Sequence, residues 1–86
     1  MSDFKVGDKV RVVSISERTL RMTTPDNIEK KLGLIKTREC LVVHRVDHQG
    51  KEVRLLGKSI TNKHSGWRFS PDDLVKYLRK LAVILR

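Results

Sequence analysis

Eighty-six residues, 38% hydrophobic and 5% aromatic, make one domain with a small core that must be packed economically. No apolar run approaches the ~18 residues a membrane-spanning helix needs, and Met1-Ser2-Asp3-Phe4-Lys5 lacks the basic-then-apolar order of a secretory signal. Nineteen Lys and Arg against ten Asp and Glu leave a net charge of +9, which draws so small a domain toward polyanions.

In chain order, Gly7-Asp8 is a turn that releases a strand over residues 9–15, where Val10 and Val12 alternate with Lys9 and Arg11. Residues 16–24 are polar and irregular, with Leu20 and Met22 as a short second strand at most. Thr24-Pro25-Asp26 starts a short helix that ends near Leu32, with Gly33 as its stop. Leu34 and Ile35 pin this insertion to the core.

A second strand is expected over residues 39–46. Its apolar run, Cys40, Leu41, Val42, Val43 and Val46, is too continuous for a strand with one wet face, so it is placed centrally. The lone cysteine, Cys40, cannot make an internal disulfide, which fits a reducing cytoplasm, and its apolar neighbours predict a buried, inert thiol. Asp47-His48-Gln49-Gly50 is a turn leading to a hairpin partner over 51–56, with Val53 and Leu55 on one face and Glu52 and Arg54 on the other. Residues 57–66 form a glycine-bounded polar loop, a common place for binding contacts.

Trp67 and Phe69, two apart, share one face of a strand. Phe69 is expected in the core and Trp67 half exposed. Ser70 is a candidate N-cap, Pro71 occupies a first helical position, and Asp72-Asp73 suit the positive end of a helical turn over 71–75. Beyond that turn the pattern is ambiguous. Leu74, Leu78, Leu81, Ala82 and Leu85 line one side of a helix, while residues 82–85 read equally well as a closing strand. A membrane-surface helix is the weaker reading, because a core this small needs those leucines.

Three of these segments resemble one family. Phe4-Lys5-Val6-Gly7-Asp8-Lys9-Val10-Arg11-Val12 is similar to the "VGDxVRV" opening of SH3-like barrels, including KOW, Tudor-like and Mind bomb-type modules. The hairpin over 40–55 and Trp67-Arg68-Phe69-Ser70-Pro71-Asp72-Asp73-Leu74 resemble the middle and end of those modules, in the expected order. The chain departs from the pattern in residues 16–38, which are longer and partly helical, and in continuing past the usual end. The resemblance implies a mainly β fold: a small SH3-like β-barrel with a short helical insertion and a C-terminal helical turn or tail. Such barrels bind RNA, DNA, peptides or larger assemblies, and some are stand-alone phage or bacterial accessory proteins; the fold does not choose among these roles.

Catalytic constellations are missing from the sequence. His44, His48 and His64 show no ligand spacing with one another or with Cys40, so no metal is expected, and His44 reads as a satisfied core or edge histidine. Ser59 and Ser65 near His64 lack an orienting acid, and no glycine-rich phosphate loop is present. The expectation is a protein with no catalytic activity, cofactor or small-molecule substrate. Arg45 and Arg54 fall on the outward side of the hairpin; with Lys36, Arg38, Lys58, Lys63 and Arg68 they form a candidate basic face that contacts phosphates. Trp67 is a candidate stacking surface for a base, weighed against core packing. The partner expected is nucleic acid or a nucleoprotein complex, the alternative an acidic protein surface or peptide, and a solvated hairpin face explains the same charges.

Overall fold

The alternation of Lys9, Val10, Arg11 and Val12 builds the first strand of a five-stranded antiparallel sheet in the computed structural model, which describes residues 4–77. The strands are β1 (Lys9–Val12), β2 (Leu41–Val46), β3 (Val53–Leu56), β4 (Trp67–Phe69) and β5 (Leu74–Lys76), in the order β4-β3-β2-β1-β5. Two helices, α1 (Glu17–Arg21) and α2 (Pro25–Thr37), occupy the connection from β1 to β2, and a 3-10 turn at Pro71–Asp73 joins β4 to β5.

Period two places the core on one side of the sheet. Val10, Val12, Leu41, Val43, Val53, Leu55, Trp67, Phe69 and Leu74 point inward, joined by Leu34 from α2 and Ile60 from the connection between β3 and β4. That connection is therefore not a purely polar loop, since Ile60 anchors it. Trp67 is only 6% exposed, so the half-exposed position expected for it is wrong: alternation with the outward Arg68 commits its ring to the core. β2 is central as expected, yet one of its faces is wet, with Val42 40% exposed. Cys40 is exposed rather than buried, because the strand begins at Leu41 and Cys40 lies before it.

The insertion differs most from expectation. The polar stretch around Leu20 and Met22 forms α1 rather than a strand. Ser16 caps it by accepting from the Thr19 amide at 3.4 Å, and Glu17 pairs with Arg21 at 2.8 Å. α2 starts at Pro25 as the Thr24-Pro25-Asp26 signal implies, but it runs through Gly33 to Thr37 and ends on Arg38 in the left-handed region at φ 54°. A helix stopped at Gly33 would leave Leu34 and Ile35 outside it. Continuing the helix buries Leu34 and packs Ile35 against the core, which outweighs the ~1 kcal/mol cost of a helical glycine.

Asp73 fastens α1 and the approach to it. Its carboxylate, 1% exposed, accepts from the Ser14 hydroxyl at 2.7 Å, the Ser16 hydroxyl at 2.8 Å, the Ser16 amide at 3.0 Å and the Thr19 hydroxyl. The Thr19 oxygen in turn accepts from the Ser70 amide at 2.8 Å. Asp72 is exposed in the 3-10 turn, whereas Asp73 is an anchor and not the dipole partner expected. Burial pushes the Asp73 carboxyl up, but hydrogen bonds from Thr19, Ser16 and Ser14 outweigh it and hold it below the usual carboxylate range. The 3-10 turn ends at Asp73, where the helical reading continued to 75, and a strand follows at once. The leucines at 78, 81 and 85, on which the choice between helix and closing strand rests, lie outside the described residues.

Asp73→Asn is expected to lower unfolding free energy by about 2–4 kcal/mol near neutral pH in urea titration. The folded carboxyl is held low, so its stabilisation is complete above the ordinary carboxylate range and is lost as pH falls; the variant should lack that part of the acid-induced loss. Two glycines should respond oppositely to alanine. Gly66 has φ +71°, and an added Cβ would stand 2.4 Å from the Leu55 carbonyl oxygen, so Gly66→Ala should destabilise by ~2 kcal/mol or more. Gly33 lies within α2 with nothing within 4 Å of an added Cβ, so Gly33→Ala should stabilise by about 0.5–1 kcal/mol in the same titration.

Candidate polyanion-binding face

Leu41 and Val43 point inward from β2, so strict alternation would turn Arg45 inward too. The register instead shifts by one residue: Val43 faces Leu55 and Arg45 faces Arg54, leaving His44 as an exposed extra residue of a bulge. Arg45 is thereby turned outward, while Val46 returns to the core side opposite Val53. Arg54 faces Arg68 on β4. Three arginines thus lie in one row across three strands, a span of about 10 Å at ordinary strand spacing.

Like charges opposite one another in a sheet repel. Glu52, two residues before Arg54 on the same strand face, offsets part of this: its Oε2 lies 3.0 Å from Arg54 Nε and 3.9 Å from Arg68 Nε. The Arg45 side chain has no ion pair or hydrogen bond among the described residues. Farther along the same side, β1 turns out Lys9, opposite Val42, and Arg11, opposite Val75. Lys9 and Arg11 were absent from the expected face, although their alternation with Val10 and Val12 was the signal that would have placed them there.

Of the eight expected site residues, the sheet gathers Arg45, Arg54 and Arg68. Lys36 sits in the last turn of α2 and Arg38 is its C-cap, while Lys58 and Lys63 belong to the connection between β3 and β4. That connection is tied to the end of α2 by Glu39, which accepts from the Ser59 amide at 3.1 Å and its hydroxyl at 2.5 Å. Lys63 donates to the Gly57 carbonyl and so closes its own loop. Trp67, turned into the core, offers no stacking surface. His44 is exposed at the bulge and is no core histidine. Among the described residues no cluster of His, Cys, Asp and Glu is arranged to hold a metal, and no helix is long and apolar enough to cross a membrane.

At the hairpin end of the row, Arg45, Val46, Asp47, His48, Glu52 and Arg54 line a cavity of about 350 Å³. Asp47 organises the turn there, its Oδ1 accepting from the Lys51 amide at 2.7 Å and the Glu52 amide at 3.2 Å, with Gly50 at φ +69°. Desolvation acts to raise the Asp47 carboxyl, but the Glu52 and Lys51 amides, nearby His48 and the Gly50 amide hold it below the usual range.

Behind the row lies a buried amine. Lys31, 2% exposed on α2, donates to the Thr23 hydroxyl and the Arg68 carbonyl, each at 2.7 Å, and stands 4.6 Å from the centroid of the Phe69 ring. Burial lowers its pKa to about 8, the Arg68 charge adds to this, and Asp73 opposes it. In the sequence, the helical spacing of Lys31 to Ile28 and Leu34 is the available sign of its inward position.

Because the folded state holds the Lys31 proton more weakly than the unfolded chain, stability should rise as pH climbs from about 8 to about 10.5. Lys31→Met should flatten that rise, and the wild-type-minus-variant difference in unfolding free energy should change by at most about 3 kcal/mol across the window, read by urea titration at each pH. Set against protein family models, curated proteins and solved structures, the chain finds no match in any of the three.

Proposed function

We propose that this chain is a non-enzymatic SH3-like barrel that binds nucleic acid, alone or in a nucleoprotein complex, across the outward face of β2, β3 and β4. The meander order β4-β3-β2-β1-β5, with a 3-10 turn between the last two strands, agrees with such a barrel. The cytoplasm, where Cys40 stays a thiol, is the compartment that suits it.

The arginine row carries the reading. Three guanidinium groups opposed across a sheet, with one carboxylate among them, repel in the free protein and are relieved by an anionic partner. Arginine presents a planar fork that matches phosphate oxygens, and the row supplies three such forks with no sequence preference of its own. An acidic protein partner is the second reading, favoured by Val42 and Val75, which lie exposed on the same side of the sheet as a small apolar centre.

Salt separates the two. Binding of the wild-type chain to a single-stranded oligonucleotide should weaken steeply with salt, and Arg45→Gln, Arg54→Gln and Arg68→Gln together should make the log–log salt slope shallower by about 2, as loss of three phosphate contacts predicts. The folded fraction of the triple variant is checked by its urea midpoint. Unchanged affinity in that variant would remove the row from the interface. No nucleic-acid binding by the wild type at near-physiological salt would favour the acidic protein, whose affinity should partly survive high salt.

A further inference from the structure

We propose that the cavity at the end of the β2–β3 hairpin seats one unpaired guanine of a strand whose phosphates lie on the arginine row. The inference rests on the nucleic-acid reading and adds to it a preference for one base.

The cavity is not simply basic. Two arginines, Arg45 and Arg54, and two acids, Asp47 and Glu52, line one space. With the charges nearly balanced inside it, a neutral base fits this space better than a further phosphate, and the remaining N–H groups of Arg45 and Arg54 stay available to the row. The cavity suits a neutral planar ligand that has donors along one edge and acceptors along another. Glu52 Oε1 carries no hydrogen bond among the described residues, and the Arg45 guanidinium makes no ion pair or hydrogen bond among them. An unused acceptor and unused donors therefore share one cavity. Val46 and His48 complete its lining.

Guanine is the base with that complementary pair of edges. Its N1–H and N2–H2 present two adjacent donors to a carboxylate, while O6 and N7 present two adjacent acceptors to an arginine. Adenine would set its N1 acceptor against the carboxylate, cytosine its N3, and uracil offers a single N–H between two carbonyls. Each of these leaves a polar group opposed or unpaired, the usual origin of base discrimination. The N1 edge is free only where the guanine is unpaired, so the strand is single or splayed open. Either RNA or DNA presents this edge.

Glu52 then has two roles with opposite effects on affinity. It is the acceptor that recognises the base, and it is also the carboxylate that offsets Arg54 and Arg68 and so competes with phosphate. Replacing it should remove base preference while leaving the phosphate contact intact or stronger.

The test is fluorescence anisotropy of the full chain with labelled uridine heptamers carrying a central guanine, adenine or cytosine, in RNA and DNA versions, for wild type and Glu52→Gln. The wild type should bind the guanine heptamer about tenfold more tightly than the others, as one bidentate base contact predicts. Glu52→Gln should bring the preference below about twofold, with unchanged or tighter binding of the all-uridine heptamer. Equal wild-type affinity for all heptamers, or a guanine preference that survives Glu52→Gln, overturns the guanine seat while leaving the arginine row standing. Failure of the wild type to bind any heptamer overturns both.

Discussion

A one-residue shift of register between Val43 and Arg45 decides which side of the sheet carries charge. Upstream of it, Leu41 and Val43 fill the core; downstream, Val46 does so again. Were the same residues paired without that shift, the second half of β2 would be inverted, with Arg45 opposite Val53 on the core side and Val46 turned to water. Burying an unpaired guanidinium is among the costliest errors a small core can contain. The bulge avoids it and sets Arg45 in line with Arg54 and Arg68. Both the continuity of the core and the continuity of the arginine row depend on that single displaced residue.

The inner side of the sheet is closed by an insertion held as much by polar contacts as by apolar ones. Leu34 and Ile35 supply the apolar hold from α2, while α1 is fastened through Thr19 and Ser16 to Asp73. Asp73 and Lys31 reach the same corner from opposite sides, and Thr19, Thr23 and Ser70 connect them through hydroxyls and backbone groups. Every member is satisfied, the condition under which a buried polar network fixes one arrangement instead of weakening the core. Lys31 also holds the Arg68 carbonyl, so the backbone beneath the arginine row is tied directly to the insertion.

Period two was legible wherever a strand had one committed face. It placed Val10, Val12, Val53, Leu55 and Phe69 in the core, and it paired the Asp47–Gly50 turn with its hairpin. Arg45 was placed outward correctly, although the bulge responsible cannot be read from residue type. Local signals failed where tertiary demand overruled them. Gly33 looked like a stop, but Leu34 had to be delivered to the core. Asp73 looked like a helix-dipole partner, because nothing in the sequence near it announces hydroxyl donors more than fifty residues away. Lys31 was hidden by its charge and Trp67 by its aromatic appeal as a stacking surface. The cavity at the hairpin needed the bulge and the turn together, so no single motif announced it.

The pairing of β1 with β5 has a kinetic meaning. Every other strand pairing joins neighbours in sequence, whereas this one joins the first described strand to the last. During synthesis β2, β3 and β4 can form their meander early, while one edge of β1 stays open until Leu74–Lys76 emerges. The same moment delivers Asp73 to Ser14, Ser16 and Thr19, so closing the sheet and locking the insertion are one late event. Until then the nascent chain exposes an unpaired edge of alternating valines and cations, and like charge on such edges opposes their pairing between neighbouring chains.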